Sequence, residues 1–191
     1  MYKRQEDELW KKIPRDKRDC DFETCKGIAD FFAGIVDYKS EFTGKHSLGV
    51  AKKAAELAEY MGYSQAYIEK FYMAGALHDI GKMAIGNEIL EKPGRLTDEE
   101  FSRMKNHAGY TYMILSEVKD FDEVRDWAAL HHEKLDGTGY PFGKKAEELN
   151  EPERLMACVD IYQALTEARP YKSGMSHDKA CSILEDMVQK G

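Results

Sequence analysis

The chain has 191 residues, enough for one full hydrophobic core and short for two. Its 42% hydrophobic and 33% charged residues are the composition of a folded globular protein, and no window approaches the roughly eighteen apolar residues of a membrane span. A formal net charge of -7 argues against broad binding to DNA or RNA, while leaving room for a small basic site for one phosphorylated ligand.

Residues 1–20 are polar and contain Pro14, so they read as a tail or a linker entering from an upstream domain. The opening MYKRQ resembles a translated sequencing-adapter remnant, and residues 1–5 are expected to be artefactual. The apolar positions Phe22, Ile28, Phe31, Phe32, Ile35 and Val36 fit one helical face. A second helix is predicted from about Gly44 to Met61, ended by Gly62, and a third is capped by Ser64 and ends near LHDIG. Pro93 and Gly94 signal a turn, and Thr97 followed by Glu100 makes a capping box for a short helix. Further helical patterns cover about His107 to Val118, Phe121 to His132, Glu153 to Thr166 and Ser176 to Gln189. No run of alternating apolar residues is convincing, so the fold class is all-α, with about seven or eight helices in one domain over 21–191. Cys20, Cys25, Cys158 and Cys181 form no CxxC pair and read as reduced residues of a cytoplasmic protein.

Five of the six histidines, His46, His78, His107, His131 and His132, fall in or beside helical patterns. Each taken alone reads equally well as a hydrogen-bonded structural residue. As a group with nearby aspartates they suit divalent zinc, iron or manganese, whereas magnesium favours oxygen ligands. His78 and Asp79 are adjacent, so they point about 100° apart on a helix and would approach an ion from two sides. Asp79 has two oxygens and could bridge two cations where an imidazole serves one. Asp160 lies in the apolar segment LMACVDIYQAL, on a stripe with Met156 and Ala164; it is either a surface position or cap, or a buried ligand. Burying its charge without a cation or base would cost several kcal/mol.

These segments together resemble the HD-GYP family, a bacterial branch of the HD superfamily of metal-dependent phosphohydrolases. The resemblance rests on HSLGVA at 46–51, HDIGK at 78–82, ILEKPGRLTDEE at 89–100, KNHAG at 105–109, HHEKLDGTGYP at 131–141 and DIYQALTEARPYK at 160–172. It implies a helical bundle in which His46, His78, Asp79 and Asp160 hold one metal, and Asp79, His107, His131 and His132 a second. It also implies cleavage of cyclic di-GMP to pGpG and, in some members, to GMP, in domains attached to receiver or other sensory partners. On that basis the chain is expected to be a fragment truncated at both ends.

Two positions depart from the family pattern. Some members place a metal-binding Glu where this chain has Phe42, which cannot ligate a hard cation, so a binuclear site of iron, manganese or zinc is expected. The common DALTS run is QALTE here, a variant subgroup in which Gln163 replaces a carboxylate; an amide keeps hydrogen bonding and loses basicity. The expected chemistry is in-line phosphodiester hydrolysis, with Asp79, Lys82 and Gln163 at the reacting centre. Lys82, Arg169 and Lys172 would bind phosphate, and Tyr140 with Pro141 would form the lip of the pocket. Glu133 is expected to accept a hydrogen bond from an imidazole or water. Alternatives are a phosphohydrolase for another nucleotide or phosphoester, or a non-catalytic nucleotide-binding signalling domain.

Overall fold

In the computed structural model, which describes residues 20–40, 46–168 and 173–190, the first helix, α1 (Phe22–Lys39), starts where Asp21 accepts the Thr24 N–H at 2.8 Å. It is followed by α2 (His46–Tyr60), α3 (Gln65–Leu77), a 3-10 turn (Ile80–Ala84), α4 (Asn87–Leu90), α5 (Asp98–Ser116) and α6 (Asp122–Ala129). A second 3-10 turn (Ala146–Glu148) leads into α7 (Glu151–Thr166) and α8 (His177–Lys190). Among the described residues there is no strand, only one isolated bridge between Asp136 and Lys145. The all-α expectation therefore holds.

Helix α3 is the axis of the bundle, packed against α1, α2, α6 and α7. Every residue from Phe71 to Leu77 is buried, and a helix apolar on all sides is stable only in the middle of others. α2 meets it with small residues, Val50, Ala51, Ala54 and Ala58, at helical spacing. On the α6 side, Phe71 and Trp127 pack with ring centroids 4.6 Å apart. Because α3 is held from all sides, the residues at its C-terminal end, His78 and Asp79, sit in the interior rather than at the rim.

Several boundaries differ from the sequence reading. The Thr97 capping box is present, with the Glu100 N–H donating to Thr97 Oγ1 at 3.2 Å and the Thr97 N–H to Glu100 Oε2 at 2.7 Å. The helix it opens does not stop before His107; α5 runs unbroken to Ser116, carried by Ala108, Thr111 and Leu115 buried in its second half. α6 ends at Ala129, short of His132, so both histidines lie in the turn that follows. Ser64 stands at the N-cap of α3 without a side-chain capping bond. α7 begins two residues before Glu153, where Asn150 and Glu153 form a capping box. The expected N-terminal tail, Phe42, Arg169 and Lys172 lie outside the described residues.

Candidate metal centre

Five separate stretches of chain bring candidate ligands to one interior point. α2 contributes its first residue, His46; the end of α3 contributes His78 and Asp79; α5 contributes His107; the turn after α6 contributes His131 and His132; and α7 contributes Asp160. All but His132 are buried, and His132 is partly so. The ring centroids of His46 and His78 are 5.4 Å apart, of His78 and His131 4.8 Å, of His107 and His132 5.2 Å, and of His131 and His132 4.0 Å. Ligand atoms of His46, His78 and Asp79 lie within 4.8 Å of one another, as do those of His107, His131 and His132. Asp160 joins the first group, its Oδ1 3.1 Å from His46 Nε2 and 3.6 Å from His78 Nε2.

Asp79 lies between the groups. Its Oδ2 is 3.2 Å from His78 Nε2 and its Oδ1 is 3.3 Å from His107 Nε2. Lys82, one turn on, places its ammonium 2.6 Å from the same Oδ2. Burial works against the Asp79 charge, but Lys82 and His78 outweigh it and hold the carboxyl well below its usual range. Burial likewise opposes ionisation of Asp160, and His46 and His78 reverse the balance and lower it.

The local fold sets which ring nitrogen faces inward. The Nδ1 atoms of His78, His107 and His131 lie 2.8, 2.7 and 2.6 Å from the carbonyls of Gly75, Met104 and Ala128, each three residues earlier. A carbonyl only accepts, so each Nδ1 carries the proton and each Nε2 is turned to the centre. Burial lowers the pKa values of His107 and His131, the latter well below normal, and brings His132 down to about 4, so these three rings are neutral at pH 7. For His78 burial again opposes the charge, but the Asp79 carboxylate raises its pKa to about 9. A proton on its Nε2 thus stands where a cation would.

A divalent cation fits this donor set. Asp79 Oδ1, His107 Nε2 and His131 Nε2 are buried with no hydrogen-bond partner among the described residues. An unprotonated imidazole nitrogen 3.3 Å from a carboxylate oxygen places two electron-rich atoms face to face, which is unfavourable unless a cation is shared between them. Mixed imidazole and carboxylate donors suit zinc, iron or manganese.

The family model described as HD domain matches residues 30–190 of the chain. The chain belongs to the HD domain family. This HD domain is 38% identical over 169 residues to the 3'3'-cGAMP-specific phosphodiesterase 1 of Vibrio cholerae, covering 88% of this chain and 39% of the relative. It is 41% identical over 159 residues to the 3'3'-cGAMP-specific phosphodiesterase 3 of the same organism, covering 83% and 35%. It is also 39% identical over 141 residues to a cyclic di-GMP phosphodiesterase of Pseudomonas aeruginosa, covering 73% and 34%. The chain thus spans between 34% and 39% of the length of these relatives.

Other residues of the HD domain are placed as follows. Tyr140 walls the His107, His131 and His132 group, its ring centroid 4.7 Å from that of His132 and 6.2 Å from that of His107. Gln163, one turn after Asp160, is buried with its Oε1 unpartnered among the described residues, and its amide packs so tightly on Gly49 that a Cβ there would lie 2.3 Å from Nε2. Glu133 has backbone partners. Its carboxylate accepts the backbone N–H groups of Phe142 at 2.7 Å, Gly143 at 3.1 Å and Lys144 at 2.9 Å, so it fastens the loop. Gly137 allows that loop its turn with a φ of 79°.

Three supporting residues were not legible from the sequence. Asp37, buried at the end of α1, accepts the Ser47 N–H at 3.0 Å and the Ser47 hydroxyl at 2.6 Å, fixing the start of α2 beside His46. Thr111 donates to the His78 carbonyl at 2.9 Å and accepts the Gly81 N–H at 3.0 Å, tying α5 to the turn that carries Asp79. Glu167 lies 3.1 Å from His46 Nδ1. The only local clue is the short polar side chain one residue after His46, at Ser47; the partners are far apart in sequence.

Proposed function

We propose that the chain is the catalytic domain of a two-metal phosphodiesterase that hydrolyses cyclic di-GMP to pGpG. The observation that carries this reading is Asp79, one oxygen turned to each of two buried ligand groups, 3.2 Å from His78 and 3.3 Å from His107. His46, His78, Asp79 and Asp160 would hold one divalent ion, and Asp79, His107, His131 and His132 the other, as iron, manganese or zinc. Two such ions would supply hydroxide near neutral pH and neutralise charge on the phosphoryl oxygens.

The chain's own groups have separate tasks in this reading. Lys82 neutralises Asp79 through Oδ2, and with metal bound its ammonium would be placed to meet a phosphate oxygen. Arg169 and Lys172 would bind the same or the second phosphate. Gln163 can donate or accept a hydrogen bond to orient water, but an amide cannot take its proton. Tyr140 closes the side of the site with an aromatic face on which a base can rest. The QALTE run marks a subgroup, and the domain would act in the cytoplasm under an upstream sensory or receiver domain.

The names of the relatives at 38% and 41% identity favour a second reading in which the cyclic dinucleotide is 3'3'-cGAMP. The test is metal analysis with a product assay on both cyclic dinucleotides and on linear and cyclic mononucleotides. About two metal equivalents per chain are expected. Turnover should fall by about three decades or more in Asp79→Ala, because the ions supply several kcal/mol of transition-state stabilisation. Bound metal with no hydrolysis of any cyclic dinucleotide would sink the reading.

A further inference from the structure

His46 is held differently from the other buried imidazoles. His78, His107 and His131 each have a carbonyl three residues back to take the Nδ1 proton. His46 is the first described residue of α2. Its Nδ1 lies 3.1 Å from Oε2 of Glu167, the C-cap residue of α7, at a sequence separation of 121 and with the Glu167 side chain only 9% exposed. Its Nε2 is 3.1 Å from Asp160 Oδ1. Asp160 and Glu167 are two turns apart, so α7 presents one carboxylate to each nitrogen of a single ring.

We propose that Glu167 is the positioning residue for His46. Its carboxylate accepts the Nδ1–H hydrogen bond, which fixes the ring plane and leaves the Nε2 lone pair for the cation shared with His78, Asp79 and Asp160. A carboxylate in this place also raises the basicity of the ligating nitrogen, and a partner of this kind is worth about 10–100-fold in metal affinity. The inference rests on the two-metal reading above. It gives the Glu of the QALTE run a task that sequence position alone did not assign.

The experiment strips metal from the whole chain with a chelator and titrates Zn(II) against a competing indicator. Wild type should bind two equivalents. In Glu167→Ala one equivalent is expected to weaken about 10–100-fold while the other is unchanged, since the Glu167 carboxylate meets His46, a member of the His46, His78 and Asp79 group. Glu167→Gln, whose Oε1 still accepts the Nδ1 proton but carries no charge, should lose less than Glu167→Ala. Two unchanged equivalents in Glu167→Ala, or equal weakening of both, would overturn the assignment. If Glu167→Ala does not fold, NMR of Zn(II)-loaded wild type decides. A His46 ring bound through Nε2 with a slowly exchanging Nδ1 proton supports the proposal, and a ring bound through Nδ1, or a freely exchanging proton, overturns it. A wild-type chain that binds no zinc removes the two-metal reading itself, a result the Glu167 variants cannot produce.

Discussion

At the scale of single residues, the four metal-group histidines with shifted pKa values divide by sign, and that division sets the pH behaviour of the metal-free protein. His78 is raised to about 9, so its stabilising contact with Asp79 is fully present below the unfolded value near 6.5 and is lost as pH rises through about 9. His132 is lowered to about 4. Its folded form resists a proton that the unfolded chain accepts, so stability is lost as pH falls from about 6.5 towards 4. His107 and His131 act in the same direction as His132. The carboxylates Asp79 and Asp160 are lowered and contribute their loss only below the usual carboxylate range, a separate window. Melting of chelator-treated protein should therefore be highest near neutral pH and decline on both sides. His132→Asn, which cannot take a proton, should lose less on acidification, by about 3 kcal/mol at pH 4. Equal acid sensitivity of the two proteins would count against a neutral, desolvated His132.

At the scale of elements, the centre depends on how closely α5 approaches the turn after α3. A Cβ on Gly81 would lie 1.9 Å from the His107 carbonyl oxygen and 2.5 Å from the Thr111 nitrogen, both backbone atoms that cannot swing aside. Gly81→Ala must push α5 away, breaking the Thr111 clasp and moving His107 from Asp79. The expected loss is about 3 kcal/mol, with weaker binding of one metal equivalent. Gly34→Ala in α1, where nothing lies within 4 Å, is the control and should be neutral or stabilising by up to about 1 kcal/mol. Equal melting temperatures for the two variants would refute the close-approach argument. The same element shows what the sequence could and could not convey. Its start was legible because a capping box is local. Its continuity was not, because the first half has few apolar residues, and Phe101 is 48% exposed, so the helix is sustained by burial further along. His46, His78, His107, His131, His132 and Asp160 were legible as a set because their motifs recur in order. The loop N–H partners of Glu133 and the ring 121 positions from Glu167 were missed because they meet only in the folded chain.

At the scale of the whole molecule, the candidate ligands come from α2, α3, α5, α7 and the turn after α6, stretches far apart along the chain. Unfolding must separate them, so binding free energy is also folding free energy. At a cation concentration 100 times the dissociation constant, one site adds about 2.7 kcal/mol. For a domain of this size each kcal/mol raises the melting temperature by about 2–4 °C, which gives about 5–11 °C per site, less whatever the unfolded histidines bind. The two groups can be separated by substitution. His132 belongs to one group, so His132→Ala should abolish one of two increments. Asp79 faces both, so Asp79→Ala should reduce both. Melting curves recorded during a zinc or manganese titration, with chelator as the reference, test this directly. If Asp79→Ala kept the full rise, the carboxylate would not be shared, and the two groups of imidazoles would have to be treated as independent sites.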